Sequence, residues 1–253
     1  MTSTSSLTID WPTKPQHVAV LSTTRRGGVS VPPYDDGSGQ GGLNLGDHVA
    51  DDRDAVKHNR ESLREQCPSE PVWLKQVHGT HIVNAAMVQG VPEADASFTT
   101  QAGVVCAILT ADCMPVLFCD QRGSVVAAAH AGWRGLSLGV LENTVAAMRV
   151  AGAKDVMAWM GPAIGPQKFE VGADVVEAFA HLGAIAESAF LPLAERPGKF
   201  LANLPLLVKC ILNKQDVTHL FGGADCTVSD AQRFYSFRRD GVTGRMASLI
   251  WIR

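Results

Sequence analysis

Three segments of the chain each place a side chain able to bind a metal or carry a proton at the end of an apolar run, beside glycine or proline. They are VWLKQVHG with His78, AILTADCMP with Asp112 and Cys113, and SVVAAAHAGWRG with His130. Strand ends that feed loops are where mixed α/β proteins assemble sites, because rigid strands hold the residues while loops leave room for a ligand. Two imidazoles and a thiolate form a coherent ligand set for Zn²⁺. Three protein ligands leave the fourth tetrahedral position to water or substrate, as in catalytic zinc sites. Spacing alone is no signature: Cys113 lies 35 residues after His78 and 17 before His130, so the fold must bring them together. A cysteine in an apolar stretch also reads as a small core hydrophobe, and His130 as a hydrogen-bonded core histidine. Asp112 weighs against burial for its own sake, since a carboxylate inside an apolar run is costly unless paired or working. His81 competes with His78. On one continuous strand the two would face opposite sides, and spacing does not choose between them.

Arginines and glycines accompany this set. HAGWRG turns from a strand into a helix, so free backbone N–H groups near Trp133 and Arg134 are a candidate phosphate or carboxylate site. Arg25 and Arg26 precede Gly27-Gly28, where a backbone nest can form, and SFRRDGVTGR carries Arg238 and Arg239. Taken singly, each of these arginines also reads as an ordinary solvated residue.

The elements that must position them follow from periodicity. Residues 17–24 alternate as a strand and run into a glycine-rich loop over 25–46. Asp51 to Gln66 reads as a helix, with Val56, Asn59 and Leu63 down one face and Pro68 beyond its end. Short apolar runs at 72–77, 81–88, 104–110, 114–118 and 124–129 predict strands. After His130 the period becomes helical through Leu136, Val140, Leu141, Val145 and Met148, with Gly152 as a stop. A strand at 155–160 leads into the turn GPAIGP. Helices follow at 172–182 and 203–214, the second with Asn203 as N-cap and Pro205 in its first turn. RMASLIWI closes the chain as a strand. Adjacent strands without regular βαβ alternation predict an α+β fold, one domain with mixed β-sheets flanked by helices.

Composition bounds the function. The chain has 253 residues, 46% hydrophobic and 19% charged, with a net charge of −3, which excludes a disordered or fibrous protein. No long basic run suggests nucleic acid or an anionic membrane as partner. The six cysteines contain no Cys-x-x-Cys pair, so neither a zinc ribbon nor a thioredoxin-type site is written here. The opening residues lack a basic region followed by an apolar one, so a cytoplasmic location with cysteines as thiols or ligands is expected. The stretch 103–119 is shorter than a membrane span and is interrupted by Asp112.

At these residues the chain resembles the laccase-domain, or YfiH-type, family. The matching segments are TTRRGGVS at 23–30, LNLGDHVADD at 43–52, WLKQVHG at 73–79, TADCMPVLF at 110–118, HAGWRG at 130–135, GPAIGP at 161–166, FEVG at 169–172 and SFRRDGVTGRMASLIW at 236–251. The resemblance implies one domain over 1–253 with a loosely ordered segment at 1–16. It also implies a Zn²⁺ or Cu²⁺ site on His78, Cys113 and His130, which selects His78 over His81. Arg25, Asn44, Asp112 and Arg134 are carried over as candidate substrate-binding residues. DDGSGQGG, between Tyr34 and Leu43, departs from the family pattern, which runs almost directly from PY to LNLG.

The chemistry implied by the family is phosphorolysis of adenosine or inosine with inorganic phosphate, with adenosine deamination and methylthioadenosine phosphorolysis beside it. Its older laccase label fails on counting: a four-copper oxidase needs a cluster held almost wholly by imidazoles, and eight histidines without a His-x-His pair are too few. Other readings are a metal-free cysteine hydrolase, with Cys113 as nucleophile and His130 or His78 as base, for example in editing cell-wall precursors. The last is a non-catalytic nucleoside-binding protein with structural Cys and His.

Overall fold

Three central strands are buried along their whole length, and their alternating side chains decide the architecture. The computed structural model describes residues 5–253, apart from the side chains at 185 and 186. In chain order the elements are β1 (Val18–Ser22), β2 (Arg26–Ser30), α1 (Arg53–Arg64), β3 (Pro71–Val72), β4 (Ile82–Asn84), β5 (Ala96–Thr99) and β6 (Val105–Thr110). There follow β7 (Met114–Asp120), β8 (Val126–Ala131), α2 (Trp133–Ser137), α3 (Val140–Val150), β9 (Val156–Met160), β10 (Glu170–Gly172) and α4 (Ala173–Ala178). The chain ends through α5 (Ala184–Ala189), β11 (Phe190–Pro192), β12 (Lys199–Ala202), α6 (Leu204–Lys214), β13 (His219–Gly222), α7 (Phe237–Asp240) and β14 (Met246–Ile252).

Two mixed sheets carry the fold, in the orders β1-β14-β6-β3 and β13-β9-β7-β8-β5-β4. A small antiparallel sheet, β10-β12-β11, stands apart. On β7, Leu117 and Cys119 face the four-stranded sheet and meet Cys106, Ile108 and Ile250. Met114, Val116 and Phe118 face the other way, onto Leu141 and Val145 of α3 and Leu207 and Ile211 of α6. The outer face of the four-stranded sheet buries Ala107, Leu109 and Leu249 under Leu43, Leu45 and Leu63. The layers are therefore α1 with its loop, sheet, sheet, and α3 with α6. Two-sided burial explains why β6, β7 and β8 read as unbroken apolar runs.

The expected α+β fold with mixed sheets is observed, and several element bounds move for local reasons. Residues 73–77 leave the predicted strand after Val72, because the Gln76 side chain bonds both Leu109 N and Leu109 O at 2.8 Å in place of a backbone partner. The strand predicted at 124–129 runs two residues later. Asp120 accepts from Ser124 N at 2.6 Å and Val125 N at 2.9 Å, which holds 121–125 in the turn and puts His130 inside β8. The helix after His130 breaks between α2 and α3, where Gly139 has φ +99°. The loop 25–46 contains β2, and the predicted helix at 172–182 divides into α4 and a 3₁₀ turn at 180–182. Asn203 caps α6 through Leu206 N, as its sequence position predicts.

From Ser5 onward the leading segment is tied to the β1 end of the chain. Thr24 N donates to Ser5 O at 2.9 Å, Leu7 N donates to Ser22 O at 2.8 Å, and Trp11 is 5% exposed. Residues 1–4 of the segment expected to be loosely ordered lie outside the described residues. No helix among the described residues is long and apolar enough to cross a membrane.

Candidate functional site

His78, Cys113 and His130 come together at one end of the two-sheet stack. Their ligand atoms lie within 4.8 Å of one another, and Cys113 Sγ is 3.7 Å from His78 Nε2. Donors 2.0–2.3 Å from a tetrahedral ion sit roughly 3.5 Å apart, so the Cys113–His78 separation already suits one. The rings of His78 and His130 meet edge to face with centroids 4.7 Å apart.

Each residue is held by a different device. His130 sits in β8, 3% exposed. Cys113 closes the tight β6–β7 connection, where Asp112 adopts φ +89°. His78 lies in a loop at φ +60°, an uncommon conformation for a residue with a side chain. Asp95 sustains it. Its buried carboxylate accepts from Val77 N at 3.2 Å, His78 N at 2.9 Å and Gly79 N at 2.6 Å. The same carboxylate bonds His130 Nδ1 at 2.8 Å, and Asp95 O accepts from His130 N at 2.7 Å. With Nδ1 donating to Asp95, His130 keeps Nε2 for the cluster. A carboxylate behind the ring of a metal-binding histidine is the usual means of orienting it.

Gly132 permits the close approach: a Cβ there would lie 2.7 Å from His78 Cδ2 and 2.9 Å from Cys113 Sγ. The charges support one another. Burial alone would push the Cys113 thiol up, but the His130 charge and hydrogen bonds from both imidazoles bring it down to about 6. Burial alone would push His130 down, yet the Cys113 thiolate and the Asp95 carboxylate raise it to about 9. Asp95 itself is held below the ordinary carboxylate range. Burial opposes that shift, and the His130 contact and the amide donors outweigh it. The donor set, its oriented imidazole and its thiolate fit a divalent metal ion.

The cluster opens into a cavity of about 480 Å³. One wall is apolar and aromatic, from Trp133, Ile164, Phe169, Leu204 and Phe237; His48, Arg134, Arg238 and Arg245 contribute cationic or ionisable groups. A recess of about 540 Å³ along α1 is larger but is lined by mixed charges and holds no such donor group.

The family model described as multi-copper polyphenol oxidoreductase laccase matches residues 19–253. The chain belongs to this laccase-domain family. Relatives named purine nucleoside phosphorylase occur in Pseudomonas aeruginosa, 51% identical and covering 98% of both chains, and in Escherichia coli, 48% identical and covering 96% of both. A solved Neisseria meningitidis protein of the family is similar with a TM-score of 0.89, at 49% identity and 98% coverage of both chains. Bacillus licheniformis YfiH is similar with a TM-score of 0.84, at 30% identity and 93% coverage of both.

The other residues carried over from the family separate into two groups. Asp112 and Arg134 line the cavity, while Arg25 and Asn44 are not among its lining residues. The Arg25 guanidinium donates to Asp35 O and Ala231 O and lies 4.8 Å over the Tyr235 ring, a 6%-exposed clamp between loops. The nest expected at 25–28 has no free amides at Arg25, Arg26 or Gly28, which donate to Arg233 O, Thr24 Oγ1 and Gly41 O. Asn44 accepts from Gly46 N and Arg245 N and donates to Asp51, so it braces a neighbour of the site. Asp112 is also occupied. Its two oxygens accept from Thr227 Oγ1 and Arg238 N, each at 2.6 Å, tying the loops that carry the cavity wall. Arg134 is exposed and stacks on Trp133 at 4.5 Å. Helix α2 spans only five residues, too few for much of the expected dipole. Arg239 donates to Thr227 O and Phe234 O, away from the cavity. His81 bonds Glu93 O and stands outside the cluster.

Sequence reasoning passed over Asp95 and Arg245. Asp95 is as anomalous as Asp112, a carboxylate between two buried alanines, and that was its available signal.

Proposed function

We propose that the protein is a purine nucleoside phosphorylase whose centre is the His78–Cys113–His130 set. The observation that carries this reading is the sharing of one cavity by a metal-competent donor set, an aromatic wall and arginine side chains. The relatives named purine nucleoside phosphorylase, about half identical over nearly their whole length, support it.

In phosphorolysis a phosphate oxygen bonds to ribose C1′ as the C1′–N9 bond breaks. The bonding pair leaves with the purine, which takes up a proton. The apolar wall suits the flat base, the arginines suit the anion, and a cavity enclosing both keeps water from competing. His78, Cys113 and His130 would hold Zn²⁺, or Cu²⁺ in its place, with Asp95 orienting His130. When bound, the ion supplies Lewis acidity toward a substrate oxygen or water. Nucleosides and inorganic phosphate are the expected small-molecule partners, acting in the cytoplasm.

Cys113, His130 and Asp95 also form the series nucleophile, base and orienting carboxylate that a metal-free cysteine hydrolase needs. His78 favours the metal reading: a second imidazole 3.7 Å from the thiol is a third ligand, which a hydrolase triad does not use. The same donor set suits activation of water for deamination of adenosine. A four-copper oxidase needs far more imidazoles than these two beside one thiolate.

One experiment separates these reactions. Metal-loaded protein is incubated with inosine, adenosine or methylthioadenosine, with and without phosphate, and the products are resolved. Pentose 1-phosphates formed only with phosphate support phosphorolysis. Inosine from adenosine reveals deamination, and no turnover with phosphate present overturns the proposal.

A further inference from the structure

Arg245 stands just before β14 and lines the same cavity as the His–Cys–His set. Its main chain is anchored by donation from Arg245 N to Asn44 Oδ1 at 2.8 Å. One guanidinium nitrogen, Nη1, donates to Thr243 O and Gly244 O at 3.0 Å each. Its Nε–H and Nη2 protons make no hydrogen bond to the described residues, and none of their carboxylates forms an ion pair with it. This differs from Arg25, Arg60, Arg196, Arg233 and Arg239, each of which pairs with a carboxylate.

A half-buried guanidinium without a counter-ion is costly unless a ligand supplies one. Within the cavity the Cys113 thiolate and the Asp112 carboxylate favour the Arg245 charge from a distance, but neither forms an ion pair with it, and the Asp112 oxygens are engaged by Thr227 and Arg238 N. Arg134 and Arg238 stand on the same cavity and also lack carboxylate partners among the described residues, but both are exposed. Arg238 donates to Glu170 O, and Arg134 stacks on Trp133. A fixed fork with free donors, with two exposed cations on the same cavity, suits bidentate recognition of a tetrahedral oxyanion.

We propose that Arg245 is the fixed anchor of the phosphate subsite, with Arg134 and Arg238 adding positive charge from exposed positions on the same cavity. This rests on the phosphorylase reading and names the group that holds its second substrate. Of the two anion sites expected from the sequence, it keeps Arg134 as a contributor and replaces the 25–28 turn, where the Arg25, Arg26 and Gly28 amides are occupied, with the arginine before β14 that Asn44 braces.

The test uses metal-loaded full-length protein and two readouts: calorimetric binding of inorganic phosphate alone, and KM values for phosphate and inosine. In Arg245→Gln, the loss of charge-assisted hydrogen bonds is expected to raise the phosphate dissociation constant and KM about tenfold to hundredfold. KM for inosine should stay within about twofold. Arg238→Gln, at an exposed position, should raise KM for phosphate less, and it serves if Arg245→Gln fails to fold. Unchanged phosphate binding and KM in Arg245→Gln, or equal increases for both substrates, overturn the subsite. If Arg245→Gln does not fold, an Arg238→Gln variant with unchanged KM for phosphate overturns it. Phosphate binding that depends on Arg245 in a protein making no ribose 1-phosphate keeps the subsite and removes the phosphorylase reading. Turnover with phosphate kinetics indifferent to Arg245 does the reverse.

Discussion

Asp95→Asn is the most informative single substitution, because it changes no volume and keeps one acceptor oxygen. The native carboxylate collects four N–H donors, from Val77, His78, Gly79 and the His130 ring. An asparagine cannot satisfy them all. With its oxygen toward His130 and His78, its amino group faces the amides of Val77 and Gly79. Flipped, it donates to His130 Nδ1 and forces the tautomer whose Nε2 carries hydrogen and cannot bind metal. In the first orientation two part-buried donors lose their acceptor, at about 1 kcal/mol each, the low end for an unmade hydrogen bond, or about 2 kcal/mol in all. For a domain of this size that lowers Tm by at least about 4 °C. Loss of the group orienting a ligating imidazole weakens metal binding by about 10–100-fold. The assay is competition for Zn²⁺ against a chromophoric chelator, with thermal unfolding in excess Zn²⁺ and in EDTA. A variant that binds Zn²⁺ within twofold of the parent at unchanged Tm would refute the role given to Asp95.

Other consequences are as direct. Gly132→Ala puts a methyl 2.7 Å from His78 Cδ2 and should lower Zn²⁺ affinity at least about tenfold while costing about 1–3 kcal/mol, read by the same two assays. In metal-free protein the rate of Cys113 alkylation by iodoacetamide, followed by peptide mapping, should fall as pH drops through about 6 rather than about 9. The thiolate is the reactive form, and His130 favours it. Saturating Zn²⁺ should suppress that labelling. Arg25→Ala removes hydrogen bonds to Asp35 O and Ala231 O and should cost about 2–4 kcal/mol of stability without changing KM for either substrate. A raised KM for phosphate with intact stability would return Arg25 to the site.

The layered fold was largely legible because its periodicities are strong. The two-sided burial of β7, the apolar face of α1 and the Asn203 cap each leave a local pattern. Boundaries moved where side chains replaced backbone partners, as Gln76 and Asp120 do, since neither contact has a local signature. In the site, His78, Cys113 and His130 were visible as polar residues ending apolar runs. Choosing His78 over His81 needed the family resemblance, because the left-handed turn that aims it depends on Asp95, remote in sequence. Arg25, carried over as substrate-binding, stands outside the cavity lining for a complementary reason. A glycine-rich turn reads as an open nest, whereas the Arg25 amide and guanidinium also find partners at Arg233 O and Ala231 O, more than 200 positions away.

The central claim is that one metal-competent cluster and one anion-holding cavity carry out phosphorolysis. ³¹P NMR of metal-loaded protein turning over inosine tests it most directly. The account predicts a ribose 1-phosphate resonance that grows as inorganic phosphate falls, one phosphate consumed for each hypoxanthine released, and no such signal from Cys113→Ala. Hypoxanthine released with the phosphate resonance unchanged, or turnover that survives in Cys113→Ala, would contradict it.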